Sequence, residues 1–347
     1  MLLIAALRNL NFEVTLPAIT VSRVSQPPII SIIIAAPPDM AEVQAAREAR
    51  RLDYPADRLE IIIARGRQPS VQRNVALRSA RGEWIYFLDD DALPDIGNLR
   101  RVERLFSDPA VVIIGGPNLC PPQAPALEQV FGVVLASWLA FGPSRARYVP
   151  VGAERNAGEK ELILCNLLAR RSELLELGGF NEALYPNEEN ALMDELQKRG
   201  RRLVYVPQFQ VYRRPRRTLK SFLKMLRTYG RGRAEQFRVH PTPGSALNFV
   251  PPLFCLYLAG LAIAELIGLP RWLRFGAAVP LWFYLCAVIV QTLVSMRTAG
   301  FSRAAFALPL LAVSHVFYGL GFWRGLFTSM KQAGKREPTE VVLETIA

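Results

Sequence analysis

Apolar residues along the chain fall into two regimes that meet near residue 245. In the first, short runs alternate with charge-bearing stretches. The run from Ile29 to Ala36 is dominated by isoleucine and stopped by Pro37-Pro38, which predicts a strand buried on both faces. Leu59 to Ala64 and Trp84 to Leu88 have the same character. Between them, Met40 to Leu52 and the segment opening at Pro69-Ser70 have helical patterning, so the order is β-α-β-α-β and the class α/β, with a mostly parallel sheet. Val111 to Gly115 predicts a further strand, and Pro117 to Gly158 is irregular, with Pro, Gly and aromatic residues suited to the border of a cleft.

In the second regime, Leu247 to Gly268, Phe275 to Ser295 and Ala304 to Phe327 are almost wholly apolar. Each has about 21 to 24 residues, enough for a helix to cross a hydrocarbon core of roughly 30 Å. The chain therefore divides into an N-terminal interfacial or packing segment (1–28), an α/β domain (29–212), a basic helix region (213–245), membrane helices making two to three spans (246–329) and a polar tail (330–347). Three crossings would place Lys331, Lys335 and Arg336 on the side opposite the basic helix, against the preference of such residues for the cytoplasmic face. One segment is thus expected not to cross, and Pro251-Pro252 marks the first, because paired prolines invite a bend.

Charge refines this picture. The net charge of +12 is concentrated between Arg213 and Arg238, where basic residues interleave with Leu219, Phe222, Leu223, Met225 and Leu226. That pattern predicts an amphipathic helix on anionic membrane lipids, about 1 kcal/mol per charge, and puts the α/β part at the cytoplasmic (inner) membrane, multi-pass, on the cytoplasmic side. Nucleic acid is not an expected partner, since no helix-turn-helix, zinc or ribonucleoprotein pattern accompanies the charge. The four cysteines show no metal-type spacing, as in a reduced compartment.

Two acidic sites concern chemistry. The strand Trp84 to Leu88 runs directly into Asp89-Asp90-Asp91. Adjacent carboxylates repel unless hydrated or neutralised, and an all-oxygen set at a strand end suits Mg²⁺ or Mn²⁺; the structural alternative is a solvated acidic turn. The second site is Asn187-Glu188-Glu189-Asn190 at the start of a helix ending near Gly200, for which simple helix capping is the alternative.

In order, Ser31-Ile32-Ile33-Ile34, Gln72-Arg73-Asn74, Phe87-Leu88-Asp89-Asp90-Asp91 and Gly178-Gly179-Phe180-Asn181-Glu182 followed by Glu188-Glu189 resemble the family 2 glycosyltransferases, inverting enzymes of the GT-A fold. The resemblance covers about residues 29–212, and the basic stretch followed by apolar spans looks like bacterial members that assemble exopolysaccharide or lipid-linked glycans. It implies that Asp89 faces the nucleotide, that Asp91 with Asp89 ligates Mg²⁺ or Mn²⁺, and that Asp90 supports them. Arg73 is the implied diphosphate or nucleotide contact. Arg231 and Arg233 are candidates to close over the phosphates, or else to bind lipid headgroups. Glu189 falls at the family's base position, with Glu188 the alternative, and Asn166, Gly179 and Phe180 are candidate acceptor or sugar contacts.

Two features depart from the family pattern. Ala64-Arg65-Gly66-Arg67 stands where many relatives have a base-reading Asp, and Ala35 replaces a familiar Pro. No Gln-x-x-Arg-Trp occurs, unlike processive synthases. The implied reaction moves a sugar from a nucleotide diphosphate donor to a hydroxyl of a polyprenyl-linked glycan. Transfer onto polyprenyl phosphate, or a non-catalytic membrane scaffold, are the alternatives.

Overall fold

The computed structural model describes residues 26–184, 187–239, 241, 243–328 and 340–346. The expected N-terminal segment lies almost entirely outside the described residues. The strands are β1 (Ile30–Ala36), β2 (Leu59–Arg65), β3 (Trp84–Asp89), β4 (Leu93–Pro94), β5 (Val111–Gly115), β6 (Asn118–Leu119), β7 (Arg155–Asn156), β8 (Asn166–Arg170), β9 (Arg202–Tyr205), β10 (Val211–Tyr212) and β11 (Val342–Ile346). The α-helices are α1 (Gln44–Ala49), α2 (Pro69–Ser79), α3 (Asn98–Val102), α4 (Ala126–Leu135), α5 (Trp138–Phe141), α6 (Arg171–Glu176), α7 (Glu188–Lys198), α8 (Leu219–Val239), α9 (Val250–Leu266), α10 (Arg271–Ala299) and α11 (Phe301–Phe327).

Eight strands form one sheet in the order β11-β2-β1-β3-β8-β5-β9-β7. The β-α-β-α-β reading holds at its centre, where β1 pairs in parallel with both β2 and β3. The sheet is mixed beyond that, because β8 enters antiparallel between β3 and β5 after the long excursion through residues 117–165. Side chains alternate across it as a strand's period of two requires. Ile32, Ile34, Tyr86 and Leu88 enter one apolar cluster; Ile33, Ile85 and Phe87 enter the other with Ala76 and Leu77 of α2.

Three differences from the sequence reading stand out. The helix expected over Met40 to Leu52 is only α1, because Arg65 Nη1 takes the Met40 carbonyl (2.6 Å) and Ala45 N–H donates to the Asp90 carbonyl (3.0 Å). The tail contains a strand, β11, that pairs antiparallel with β2, Val342 opposite Arg65 and Ile346 opposite Ile61. Finally, part of the apolar face of α8 turns inward. Phe222 and Leu226 are buried with Phe131 of α4 and Leu311 of α11, and the Phe131 and Phe222 rings stack with centroids 4.2 Å apart. Among the described residues, three helices, Ser245–Leu266 as extended by its leading turn, Arg271–Ala299 and Phe301–Phe327, are long and apolar enough to cross a membrane.

Candidate active site

The site forms where β1 has β2 on one side and β3 on the other, at the carboxyl ends of parallel strands, the place open α/β sheets bind ligands. The Gln72-Arg73-Asn74 run of α2 builds it with three separate roles. Gln72 Nε2 bridges the strand ends, donating to the carbonyls of Ala36 (2.8 Å) and Ala64 (2.5 Å). Asn74 holds the turn after α6: its Nδ2 donates to the Phe180 carbonyl (2.9 Å) and its Oδ1 accepts from Phe180 N–H (2.8 Å). Arg73, between them, is buried and joins the two acidic sites, with Asp89 Oδ1 at 3.1 Å and Glu188 Oε1 at 3.2 Å.

A second arginine closes on the aspartates from the opposite side. In the small sheet β4-β10-β6, Tyr212 lies opposite Leu93, so the next residue, Arg213, is carried back alongside the acidic turn. Its Nη1 is 2.8 Å from Asp89 Oδ2, and its Nε bonds Asp91 Oδ1. Burial works against charge at Asp89, yet the Arg213 and then the Arg73 guanidinium overcome it and hold that carboxyl below its usual range. Asp90 is pushed up by burial and by its two acidic neighbours. The side chain of Asp91 is 46% exposed and lines a cleft of about 890 Å³. Arg213, Arg214, Arg216 and Arg217 stand at its cationic part, and Leu135, Met225 and Tyr229 give it an apolar wall.

The Glu188-Glu189 pair opens α7. Glu188 is 2% exposed, and its Oε2 has no hydrogen-bond partner. Burial, then the neighbouring Glu189 charge, raise its pKa to about 7 despite Arg73. Glu189 is only half-buried, and its Oε1 accepts from Asn190 Nδ2 (3.3 Å). Asn187 fastens this turn to α8 through Gln236 Oε1 (2.6 Å) and the Gly232 carbonyl (3.3 Å).

The raised pKa has a consequence for stability. Glu188 holds its proton more tightly folded than unfolded, so ionising it opposes folding as pH rises from the ordinary value of 4.5 to about 7. Glu188→Gln should therefore gain thermal stability relative to the parent between pH 5 and pH 8. Unfolding in detergent at the two pH values checks this; a difference that does not change with pH would contradict it.

Several expected contacts are corrected. Asn166 is fully buried, its Oδ1 accepting from Tyr86 Oη (2.8 Å) and its Nδ2 donating to the Phe209 carbonyl (2.7 Å), so it has no free group to offer an acceptor. Phe180 is buried edge-on against Phe87, and Gly179, at φ +86°, lies so close to Asn74 Oδ1 that a side chain would collide. Their work is to hold the turn. Arg233 pairs with Glu159 (2.7 Å) and Arg231 Nε lies 3.3 Å from Glu235 without a hydrogen bond; like Glu188 and Glu189, neither is among the residues that line the cleft. The second arginine on the aspartates, Arg213, is not among the site residues expected from the sequence. Its signal was the Arg213-Arg214-Pro215-Arg216-Arg217 run directly after β10, read as lipid-binding charge.

The family model described as glycosyl transferase family group 2 matches residues 84–323, from the strand that presents Asp89 to the last apolar helix. The chain belongs to that family. Among relatives, it is 28% identical over 193 residues to the succinoglycan biosynthesis protein ExoA of Rhizobium meliloti (strain 1021), covering 55% of this chain and 54% of that one. It is 26% identical over 175 residues to the pre-mycofactocin glycosyltransferase of Mycobacterium tuberculosis (strain ATCC 25618 / H37Rv), covering 50% of this chain and 36% of that one. The matches thus span about half or less of these curated relatives. Among solved structures, the mannosyltransferase PcManGT from Pyrobaculum calidifontis, in complex with GDP-Man and Mn²⁺, superposes with a TM-score of 0.58 over 87% of this chain and 88% of that one, at 16% identity. That likeness shows a GT-A fold for this glycosyl transferase family member.

Proposed function

We propose that the chain is an inverting glycosyltransferase that moves a sugar from a nucleotide diphosphate donor to a hydroxyl of a polyprenyl-linked glycan at the cytoplasmic membrane face. One observation supports it above the rest. The Asp89–Asp91 turn, clamped by Arg73 and Arg213, opens on a cleft lined both by Arg213, Arg214, Arg216 and Arg217 and by apolar side chains such as Leu135 and Met225. The arginines suit a charged donor, and the apolar side chains a lipid-linked acceptor.

The residues fit a divalent ion. Asp91, open to the cleft, offers a hard oxygen donor, and Asp89 would join it once Arg73 or Arg213, which hold its two oxygens, turned to the donor phosphates; Mg²⁺-type ions bind through one or two carboxylates completed by substrate phosphates. Among the described residues no cluster of three or more His, Cys, Asp or Glu exists, so substrate phosphates would have to supply the remaining ligands. Such an ion, when bound, neutralises the charge that builds on the departing diphosphate. The Mn²⁺ and GDP-Man of PcManGT are consistent with this choice, and the naming of ExoA for succinoglycan biosynthesis supports a glycan product.

The chain's own side chains do the rest. Arg213, Arg216 and Arg217 draw the diphosphate into the cleft and stabilise it as it leaves. Glu189, the less buried of the acidic pair, takes the acceptor proton as the new bond forms. Glu188 acts through Arg73, which it ties to Asp89, and is a positioning residue.

Binding of a panel of nucleotide diphosphates to the detergent-purified chain tests the reading, with Mn²⁺, with Mg²⁺ and with chelator. One nucleotide should bind with metal only, and Asp91→Asn should lose that binding. If no nucleotide binds the parent in either metal, the donor class is wrong.

A further inference from the structure

The strand β11 constrains how the apolar helices meet a membrane. It pairs with β2 over five residues, and Glu344 bonds Arg65 (3.0 Å), so residues 342–346 are part of the sheet. The segment 329–339 that leads to it carries Lys331, Lys335, Arg336 and Glu337 and is too short and too charged to be a span. The chain therefore leaves the α/β part at α8 and returns to it at β11, and the crossings in between must be even in number. Three full spans are excluded.

The three apolar helices are not equivalent. Of their most apolar stretches, 6% and 11% are buried against the rest of the chain in α9 and α10, but 39% in α11. Helix α11 packs along α8, with α4 and α5 beside it. Near its start, Ala304 and Ala307 are buried, and Arg303 sits close enough to Cys120 of the cleft for its charge to act there. At its middle, His315 Nε2 is 3.0 Å from the Leu139 carbonyl of α5. At its end, Gly321 and Gly325 meet Arg227 and Arg231 of α8, and Arg238 Nη1 donates to the carbonyls of Gly325 (3.1 Å) and Thr328 (2.6 Å). Both ends of α11 thus lie on the side of the α/β part, beside Cys120 at the start and beside Arg238 of α8 at the finish, with α8 itself fastened to Asn187 through Gln236, whereas a full crossing would separate them.

Helices α9 and α10 differ. Leu253, Leu256, Ile263, Trp272, Phe275 and Trp282 are exposed on parts of the pair other than the side that packs on α11, where Tyr284 Oη meets His315 Nδ1 (2.8 Å) and Trp323 Nε1 donates to the Pro252 carbonyl (3.0 Å), whereas a helix lying in an interface has one polar face. Helix α10, with 29 residues, is about 43 Å long, beyond the roughly 30 Å of a hydrocarbon core. Charge collects at the turn between them, where Arg274 bonds Glu265 and Arg271 stands nearby in sequence. Polar groups reappear where α10 returns to α5, with Gln291 Oε1 accepting from Leu139 N–H (3.2 Å). The bent α4–α5 pair is held to the α/β part at both ends, by Glu128 on Arg214 and Arg147 on Asn190, so it contributes no net crossing.

We propose that α9 and α10 cross the lipid bilayer as a two-helix hairpin, while α11 lies along the membrane face under the α/β part. The turn at residues 267–270 then emerges on the far side, and the α10–α11 turn and β11 stay on the side of the sheet. This reverses the sequence expectation that the first apolar segment is the one that fails to cross.

Labelling in sealed membrane vesicles tests the arrangement and does not depend on transferase activity. In a full-length chain with its four cysteines replaced, single cysteines go to Asp57→Cys, Ile267→Cys, Ser302→Cys and Val342→Cys and are exposed to a membrane-impermeant maleimide. The expected result is labelling at 57, 302 and 342 from one face and at 267 from the other. Labelling of 302 from the face of 267 would make α11 a span, and labelling of 267 from the face of 57 would abolish the hairpin; either overturns the proposal. Should cysteine replacement prevent folding, protease digestion of the otherwise unaltered chain with a C-terminal epitope decides the parity. Loss of the epitope from the face on which the α/β part is digested supports an even number, and loss only from the opposite face refutes it.

Discussion

Glu189→Gln is expected to lower turnover by about 100- to 10,000-fold, the usual contribution of a positioned general base, while metal-dependent nucleotide binding stays at the parent's level. The amide keeps the size of the side chain and removes only its ability to take a proton. Donor binding should be spared, because the aspartates and the cleft arginines touch neither oxygen of Glu189. Steady-state rates paired with nucleotide titrations separate the two effects. A rate within a fewfold of the parent would remove Glu189 as base. If Glu188→Gln were equally mild, the acceptor would be one that needs no deprotonation, such as a polyprenyl phosphate oxygen.

A second large effect should come from a position far from the carboxylates. Gly230→Val, or Gly321→Val on the facing helix, is expected to cost at least the 1–3 kcal/mol or so typical of overpacking and to lower activity along with stability. A methyl group at Gly230 would overlap the Tyr318 carbonyl, and one at Gly321 the Arg227 carbonyl. These are backbone atoms, which cannot turn aside as a side chain would. Small residues here let α8 and α11 approach to backbone contact, the packing that membrane-associated helices use in place of a hydrophobic driving force. Activity should fall as well, because Asn187, one residue before the acidic pair, is fastened to α8 through Gln236 and Gly232. Gly260→Ala and Gly276→Ala, which meet open space, are the controls and should leave both properties nearly unchanged. Thermal unfolding and turnover in the same detergent provide the comparison; a Gly230→Val chain as stable as the parent would show that the helices can separate without loss.

The β-α-β-α-β core was legible because each strand is a dense apolar run bounded by Pro, Gly or charge, and such runs can be satisfied only inside a sheet. Gln72-Arg73-Asn74 was legible as a motif but not as three jobs. That Gln72 bridges two strand ends while Arg73 joins Asp89 to Glu188 follows from the helical turn between adjacent residues and from where each strand happens to stop. Arg213 was hidden for the opposite reason. Within a dense basic run every arginine looks alike, and only the pairing of Tyr212 with Leu93 singles out the one that returns to the aspartates. Asn166 and Phe180 show the reverse error: polar and aromatic residues near a motif resemble ligand contacts until their partners are seen to be internal.

Taken alone, the sequence determined the fold class, the family resemblance, both acidic sites and the location of the apolar helices, because each is written in local pattern: run length, periodicity, and the order of carboxylates after strands. Tertiary structure decided what depends on two distant segments meeting. It set the antiparallel entry of β8, the Arg73–Glu188 and Arg213–Asp91 pairs, the packing of α8 on α11, and the return of β11 to β2 from residues first read as a polar tail. A short strand such as Val342–Ile346 has little preference of its own; the unpaired edge of β2 supplies the hydrogen bonds that make it one, and no local pattern records that the edge is there.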